Sequence, residues 1–302
     1  MWPGVDFFAR AGGRRALTVP LRSATMGKRS GTGPHRFRRG GEGGAGMERK
    51  TGAARSGVRR VVRRVLLLVL TLVMAVTLLR LWRVTERERR CRGVYEALRV
   101  CAPIPEAEEA GDGLPWPEVD FPALLAENPD TVAWLYSPDT PIHYPVVRGA
   151  DNETYLHRLF DGTPGHSGTI FLESQNAGDF SDPHSILYGH HMRDGSMFKS
   201  LKGYQEQSYY EAHPWLLLVT PAGRAKVELF SGYVARTDSD AWQLDFVNRA
   251  QQQRWLEEQR ERSAFESAVE PHAGERILTL STCSYEFKNA RFVVHGVLRW
   301  EE

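Results

Sequence analysis

A run of fifteen residues from Val65 to Leu79, apolar except for Thr71 and Thr77, constrains this chain more than any other feature. The surface helix of a soluble domain keeps one polar face, and this run has none. A spanning helix needs about 20 residues. Counted from Val61 to Trp82 the segment reaches 22, with Arg63, Arg64 and Arg80 extending their charged ends to the interfaces. Trp82 suits an interface as well. A buried core helix is disfavoured by the dense flanking arginines. A cleaved signal peptide needs a small-residue cleavage site, and Leu79-Arg80-Leu81-Trp82 is a poor one. The segment therefore reads as an uncleaved signal anchor, with residues 65–82 in the membrane.

Charge divides the chain at the same place. Up to Arg64 there are 14 Arg and 2 Lys against Asp6, Glu42 and Glu48, a net +13; the remainder holds 23 basic and 34 acidic residues, a net −11. The overall +2 describes neither part. Residues 1–64 are rich in Gly, Arg, Ser and Ala and are expected to be a disordered tail, because they cannot bury enough apolar surface to offset ordering. A nucleic-acid arm is one reading of the arginines; the adjacent membrane segment argues against it, and no nucleic-acid partner is expected. The positive-inside rule puts this tail in the cytoplasm and residues 83–302 outside. Six arginines over residues 80–92 weaken that asymmetry without reversing it. Met47 opens a compact anchor leader, so residues 1–46 are expected to lie upstream of the true start.

Beyond the anchor, residues 83–130 read as extracellular helices and linker. Val84 to Val100 has a helical pattern. Cys91 and Cys101 would then sit about 15 Å apart along it, too far for a disulfide, so both are expected to be free thiols. Residues 102–117 are rich in Pro and Gly and form a linker. Asp120 to Asn128 is expected to be a short helix capped by Asp120, with Pro122 in its first turn. From Thr131 the pattern changes to short strands: 132–136, 142–147, 168–172, 185–188, 215–220, 225–235, 276–282 and 291–299. Pro221-Ala222-Gly223 makes a hairpin turn. Asp245 to Ser263 reads as an amphipathic helix inserted between the sixth and seventh strands. The fold class is mainly β, with eight evenly spaced strands over residues 131–302 closing a barrel.

Three features could carry chemistry. Cys283 ends an apolar strand, where a thiol can be partly exposed; the blander alternative is a buried structural cysteine. His190 and His191 end a second apolar strand and could equally be surface turn residues. A zinc site there lacks ligands, since only His184 is nearby, and no metal is expected. Arg291 opens the last strand eight residues after Cys283, and an antiparallel turn would return it to the thiol's side; a solvated edge arginine is the common alternative. Together these supply a nucleophile, a proton carrier and a fixed cation. A histidine beside a thiol activates it or protonates a leaving amine, and an arginine can stabilise an oxyanion. Spacing by itself does not bring them together.

Thr279-Leu280-Ser281-Thr282-Cys283 with Arg291 downstream resembles the active-site signature of sortases, cysteine transpeptidases of Gram-positive cell surfaces. Ile186 to Met192 with Asp194-Gly195-Ser196-Met197-Phe198 resembles the histidine segment of class B members. Pro141 to Val147, Gly168 to Phe171 and the inserted helix agree. The resemblance covers about Thr131 to Trp300 and implies an eight-stranded sortase barrel with N-terminal helices. It implies Cys283 as nucleophile, His190 as general acid/base with His191 only its neighbour, and Arg291 as oxyanion stabiliser. The implied reaction cleaves a sorting signal of a secreted protein after Thr, forms a thioester, and passes the acyl group to an amine of a peptidoglycan precursor or a pilin. No cofactor is implied. Asn152, Leu156, Thr237, Ser281 and Thr282 match positions that line the signal groove, and Trp242 occupies a groove position with a different residue type. NPQTN-like and LPXTG-like signals both stay open. So do two alternatives: a pilin-polymerising sortase, and a membrane-anchored binding protein that keeps the barrel without catalysis.

Overall fold

The computed structural model describes residues 51–105, 113–284, 286 and 288–301. The chain divides into two units within its first helix, Met1–Leu67 and Leu68–Glu302. The barrel and every group discussed below belong to the second.

The first helix, α1 (Thr51–Leu98), runs for 48 residues without interruption. The expected separation between an anchor and a helix beginning at Val84 is absent. No proline occurs between Thr51 and Leu98, and adding a residue to a formed helix gains one hydrogen bond for each residue fixed. The same propagation explains why residues 51–64 are helical where an irregular tail was expected; the rest of that tail lies outside the described residues. From Val61 to Trp82 the apolar side chains are exposed, Leu68 by 68%. Near its end α1 becomes one-sided: Cys91, Tyr95 and Leu98 are buried in the core. A 3-10 turn, Arg99–Cys101, closes it, before Pro103. The described cysteines are all free, as the spacing of Cys91 and Cys101 predicts.

Helix α2 (Phe121–Glu127) starts where predicted: the Asp120 carboxylate accepts from the Ala123 amide at 3.0 Å, and Pro122 stands in the first turn. Eight strands follow: β1 (Thr131–Tyr136), β2 (His143–Val147), β3 (Ile170–Leu172), β4 (His184–Tyr188), β5 (Trp215–Thr220), β6 (Gly223–Arg236), β7 (Ile277–Cys283) and β8 (Ala290–Trp300). They close a barrel in the order β1-β2-β3-β4-β7-β8-β6-β5. Each lies within about two residues of its predicted position. Between β4 and β5 are two elements the sequence pattern did not indicate, a 3-10 helix Phe198–Gln205 and α3 (Gln207–Ala212). Both are shorter than three α-helical turns, so no 3.6-residue periodicity could develop.

The inserted helix α4 spans Arg249–Glu261, shorter than expected at its N-terminus. The Asn248 side chain accepts from the Gln251 amide at 2.9 Å and caps the helix there. Phe246 remains outside the helix yet still packs on Trp255, with ring centroids 5.2 Å apart. Trp255 and Leu256 press onto Phe230, Ile277 and Val297, on the outer face of β6, β7 and β8.

Beneath α4 lies a polar relay with no exposed member. The Thr279 hydroxyl is 2.6 Å from Nε2 of His184 and 2.6 Å from Nδ1 of His295. Nδ1 of His184 donates to the Gln243 carbonyl at 2.7 Å. That fixes its tautomer, so Nε2 accepts from the hydroxyl and His295 donates to the hydroxyl oxygen. The relay joins β4, β7 and β8 side chain to side chain.

Burial holds these imidazoles neutral. It pushes His184 down to about 4 against the bond to Gln243, and it pushes His295 far below the ordinary histidine range, helped by His184 and Arg262. Burial and Arg99 also bring His143 down to about 4. In the unfolded chain these groups titrate near 6.5. Below that pH the unfolded state binds more protons, so their contribution is complete above about 6.5 and is lost as pH falls toward about 4. His184 alone accounts for about 3 kcal/mol at pH 4. Urea unfolding of the full chain in detergent is expected to show a midpoint that is flat from pH 8 to 7 and falls between pH 6.5 and 5. A midpoint constant down to pH 5 contradicts this account.

Candidate active site

β7 is the central strand of the site, parallel to β4 on one side and antiparallel to β8 on the other. Cys283 is the last residue of β7, and its register partner on β8 is Arg291. Residues directly opposite in an antiparallel pair project to one face, with Cα atoms about 4.5–5.5 Å apart. Arg291 is paired on its other side with Ala235 of β6. On the parallel side Tyr188 is opposite Ser281, and the Gly189 amide donates to the Ser281 carbonyl at 3.1 Å. That ladder continues for one step past the end of β4. The sheet thus sets Cys283 beside Arg291, and His190 follows two residues after the last β4 residue paired with β7. Cys283, Arg291 and His190 are each half-buried.

The turn after β4 is tightly held. A Cβ on Gly189 would come within 2.6 Å of the Phe198 ring, and the Phe198 amide donates to the His190 carbonyl at 3.0 Å. Nε2 of His190 donates to the backbone carbonyl of Leu156 at 2.8 Å. Burial lowers the His190 pKa; the bond to Leu156 opposes this, while His157, His166 and Arg291 add to it. The ring is therefore neutral at pH 7. The Arg291 guanidinium donates to the Ala290 carbonyl at 3.1 Å, and its charge acts on both His190 and Tyr188.

His191 has different surroundings. Its Nε2 is 2.7 Å from the Lys199 ammonium, which donates to it. Burial, Lys199 and Lys202 lower its pKa, against a backbone hydrogen bond at Cys283. A ring that accepts from an ammonium is poorly placed to take up a proton.

The remaining predicted residues fall in different places. Ser281, two residues before Cys283, shares its face and is 2% exposed. Thr282 points to the opposite side by strand alternation; it is also 2% exposed, and its hydroxyl has no hydrogen-bond partner among the described residues. Trp242 closes a 3-10 turn, Asp240–Trp242, and packs on Tyr233, Ala235 and Val293, beside Arg291. Thr237 is exposed just past the end of β6. Asn152 is committed to its neighbours: it donates to Glu173 at 2.6 Å and accepts from the Ser174 amide at 2.8 Å. Leu156, at the end of a 3-10 turn Thr154–Leu156, is half-buried and contributes its carbonyl to His190. A cavity of about 550 Å³ lies beside the pair, with Tyr233, Ala235, Arg236, Ser239, Asp240 and Phe292 among its walls.

Two features were not anticipated. The first is the Leu156 carbonyl, since a backbone acceptor leaves no mark in a sequence. The second is the support of the β7–β8 loop by the 3-10 helix Phe198–Gln205. Lys202 and Gln205 reach Glu286 at 3.1 and 3.3 Å, and Ser284 is bonded to the same carboxylate. His184, the candidate third ligand for a metal, is buried in the relay under α4 with both ring nitrogens engaged. No group of three metal-ligating side chains occurs among the described residues.

Comparison with known proteins is decisive for the family. A sortase-domain family profile matches residues 135–299, more than half of the chain. This chain is a sortase. Sortase B of Listeria monocytogenes is 34% identical over 173 residues, 57% of this chain and 70% of that protein. Sortase B from Bacillus anthracis, solved in complex with AAEK1, superposes with a TM-score of 0.62 at 30% identity, covering 72% of this chain and all of that one. A Staphylococcus aureus sortase B–substrate complex superposes with a TM-score of 0.58 at 32% identity, covering 60% and 85%. The sortase is of class B, a cysteine transpeptidase, and its closed mixed barrel is that of the class B structures.

The three thiols of this sortase differ in access. Cys91 is 7% exposed and lies 3.6 Å from Nδ1 of His166. Cys101 is half-buried, and its thiol is pushed up by burial and by Asp120 and Glu127. Iodoacetamide at pH 8, with labelled peptides quantified by mass spectrometry, is expected to leave Cys91 unmodified in the folded chain and to label Cys101 more slowly than Cys283. All three should label in guanidinium. Rapid labelling of Cys91 in the folded chain contradicts its burial.

Proposed function

We propose that Cys283, His190 and Arg291 carry out acyl transfer on a sorting signal at the outer surface of a membrane. The observation that carries this reading is the pairing of Cys283 with Arg291 across β7 and β8, next to the end of β4 that leads into His190. His190 takes the thiol proton of Cys283 onto its free ring nitrogen, and the resulting thiolate attacks the carbonyl carbon of the signal's Thr. Arg291, a fixed cation on the same face, stabilises the oxyanion that forms. The carbon–nitrogen bond breaks, His190 gives its proton to the leaving amine, and a thioester remains on Cys283. An acceptor amine then attacks the thioester, passes a proton to His190 and releases the thiolate. The acceptor is an amine of the cell wall. In its absence water takes the same place, which gives endopeptidase activity.

The signal is taken to lie along the face that Cys283 shares with Ser281, with Trp242 and the neighbouring cavity as one wall and Leu156 near the histidine. Thr237 sits at the open end of that wall. Asn152 acts through Glu173 and Ser174, and Thr282 by supporting the strand from the interior side. α1 is read as the membrane anchor, because its apolar surface is exposed all round from Val61 to Trp82 and, among the described residues, it is the one helix long and apolar enough to cross. With the basic tail inside, the barrel is outside, where tail-anchored secreted substrates present their signals.

The full chain in detergent, incubated with a panel of sorting-signal peptides and an amine acceptor, is expected to cleave one peptide after Thr and to form an adduct at Cys283 seen by mass spectrometry. Cys283→Ala abolishes both. His190→Gln lowers kcat/KM by about 10²–10⁴-fold and Arg291→Ala by about 10²–10³-fold, while His191→Gln costs less than tenfold. A His191 effect as large as that of His190 overturns the assignment of the acid/base. Full activity in Cys283→Ala overturns the reading as a whole.

A further inference from the structure

The carbonyl that receives His190 is itself held by an unusual packing. Gly168 has φ +58°, in the left-handed region, and a Cβ there would lie 2.8 Å from the Leu156 oxygen and 2.5 Å from the Tyr155 oxygen. Those neighbours are backbone atoms, which cannot turn aside. Only glycine lets the two segments lie this close. The Gly168 carbonyl in turn accepts from the Tyr95 hydroxyl. Tyr95 is on α1 and is 5% exposed. Its hydroxyl is also 3.0 Å from that of Thr169, which donates to the Arg158 carbonyl at 2.9 Å. The Thr169 amide donates to the Tyr155 carbonyl at 2.9 Å and the Gly165 amide to the His157 carbonyl at 3.0 Å. Residues 155–158, which include the carbonyl facing His190, are thus fastened to residues 165–169, and these to α1.

The same helix also reaches the other side of the histidine. The Tyr95 ring meets the Tyr144 ring edge-on at 5.4 Å. The Tyr144 hydroxyl accepts from the Met197 amide at 3.1 Å, one residue before the amide that donates to the His190 carbonyl. Arg92 pairs with Asp194 at 3.5 Å in the same loop. The last turns of α1 therefore contact both segments that bound the imidazole.

We propose that the Leu156 carbonyl is the orienting partner of His190, and that Tyr95 and Gly168 are positioning residues that hold this carbonyl in place from the anchor helix. In triads this role commonly falls to a side-chain carboxylate or amide; here a main-chain oxygen takes it. The carbonyl fixes the neutral ring with its proton on Nε2, which leaves Nδ1 as the nitrogen that exchanges a proton during acyl transfer. A carbonyl orients without adding charge, so the ring, already disfavoured as a cation by burial and by Arg291, His157 and His166, gains no counter-ion. The proposal deepens the transpeptidase reading and rests on His190 being its acid/base.

The test uses the full chain in detergent micelles with ¹⁵N-labelled histidine, at pH 7.5. Long-range ¹H–¹⁵N correlation reads the tautomer of each imidazole, with His190 assigned by loss of its signals in His190→Gln. The native chain is expected to show the Nε2–H form of His190. Gly168→Ala, whose Cβ displaces the Leu156 carbonyl, is expected to lose that signature and to lower kcat for the cleaved peptide by 10–100-fold, with KM changed less than twofold. Tyr95→Phe keeps the ring and its packing and removes one hydroxyl. It guards against simple misfolding of the glycine variant and is expected to weaken the signature and lower kcat by 3–10-fold while the chain still unfolds in one cooperative transition, with a modestly lowered midpoint. A native His190 in the Nδ1–H form overturns the proposal, as does an unchanged tautomer and kcat in both variants. Because the tautomer is read without substrate, the two readings fail separately. Failure to cleave any peptide, with the Nε2–H form present and lost in the variants, removes the transpeptidase reading and leaves the positioning network standing.

Discussion

One hydroxyl group between two imidazoles sets the register on which the site depends. Strands β4, β7 and β8 are apolar enough to slide, and a one-residue slip would exchange their inner and outer faces. Thr279 is hydrogen-bonded to His184 on one side and His295 on the other, and a slipped register would break both contacts. Leaving such buried polar groups unpaired costs about 1–3 kcal/mol each. The same register that satisfies Thr279 sets Cys283 opposite Arg291 four residues further on. The polar relay and the reactive pair are thus two readings of one strand, and α4 seals the first from water while leaving the second accessible.

Much of this was legible in the sequence, for identifiable reasons. The strands alternate or run as short apolar stretches between strong breakers, so their existence and near-correct limits follow from period and punctuation. Asp120 with Pro122 announces α2 by cap chemistry. Cys283, Arg291 and the histidine stand out as polar groups at the ends of apolar strands, but spacing left open whether they meet, and only the family resemblance implied that they act together. What the sequence hid is of three kinds. Elements of one or two turns, such as Phe198–Gln205, are too short for a period, although this one supports the loop after Cys283 through Lys202 and Gln205. Main-chain acceptors have no residue type at all. Leu156 could be named for its side chain, and only the structure reveals that its carbonyl is what His190 meets. The boundary of α4 shows a third case, in which apolar spacing suggested an earlier start and a local cap at Asn248 overrode it.

The two histidines at the end of β4 show how far the surroundings of adjacent residues can differ. They are adjacent in the chain and both have lowered pKa values. His190 donates a hydrogen bond to a neutral carbonyl, which leaves the lone pair of its other nitrogen free of that bond. His191 receives from a lysine ammonium, so its lone pair is already used. Residue type and position could not distinguish them; the identity of the hydrogen-bond partner does.

The unbroken α1 has a consequence for reach. From Trp82, at the end of the apolar stretch, to Tyr95, beside the histidine segments, is thirteen residues of rigid helix, or about 20 Å at 1.5 Å per residue. With residues 65–82 in the bilayer, as proposed above, the distance between bilayer and reacting thiol is set by a helix and does not vary as it would with a flexible stalk. A substrate held in the same membrane must then bring its scissile bond to that one height. The number of residues between a substrate's membrane tail and its signal becomes a selection criterion in its own right, independent of which side chains the signal carries.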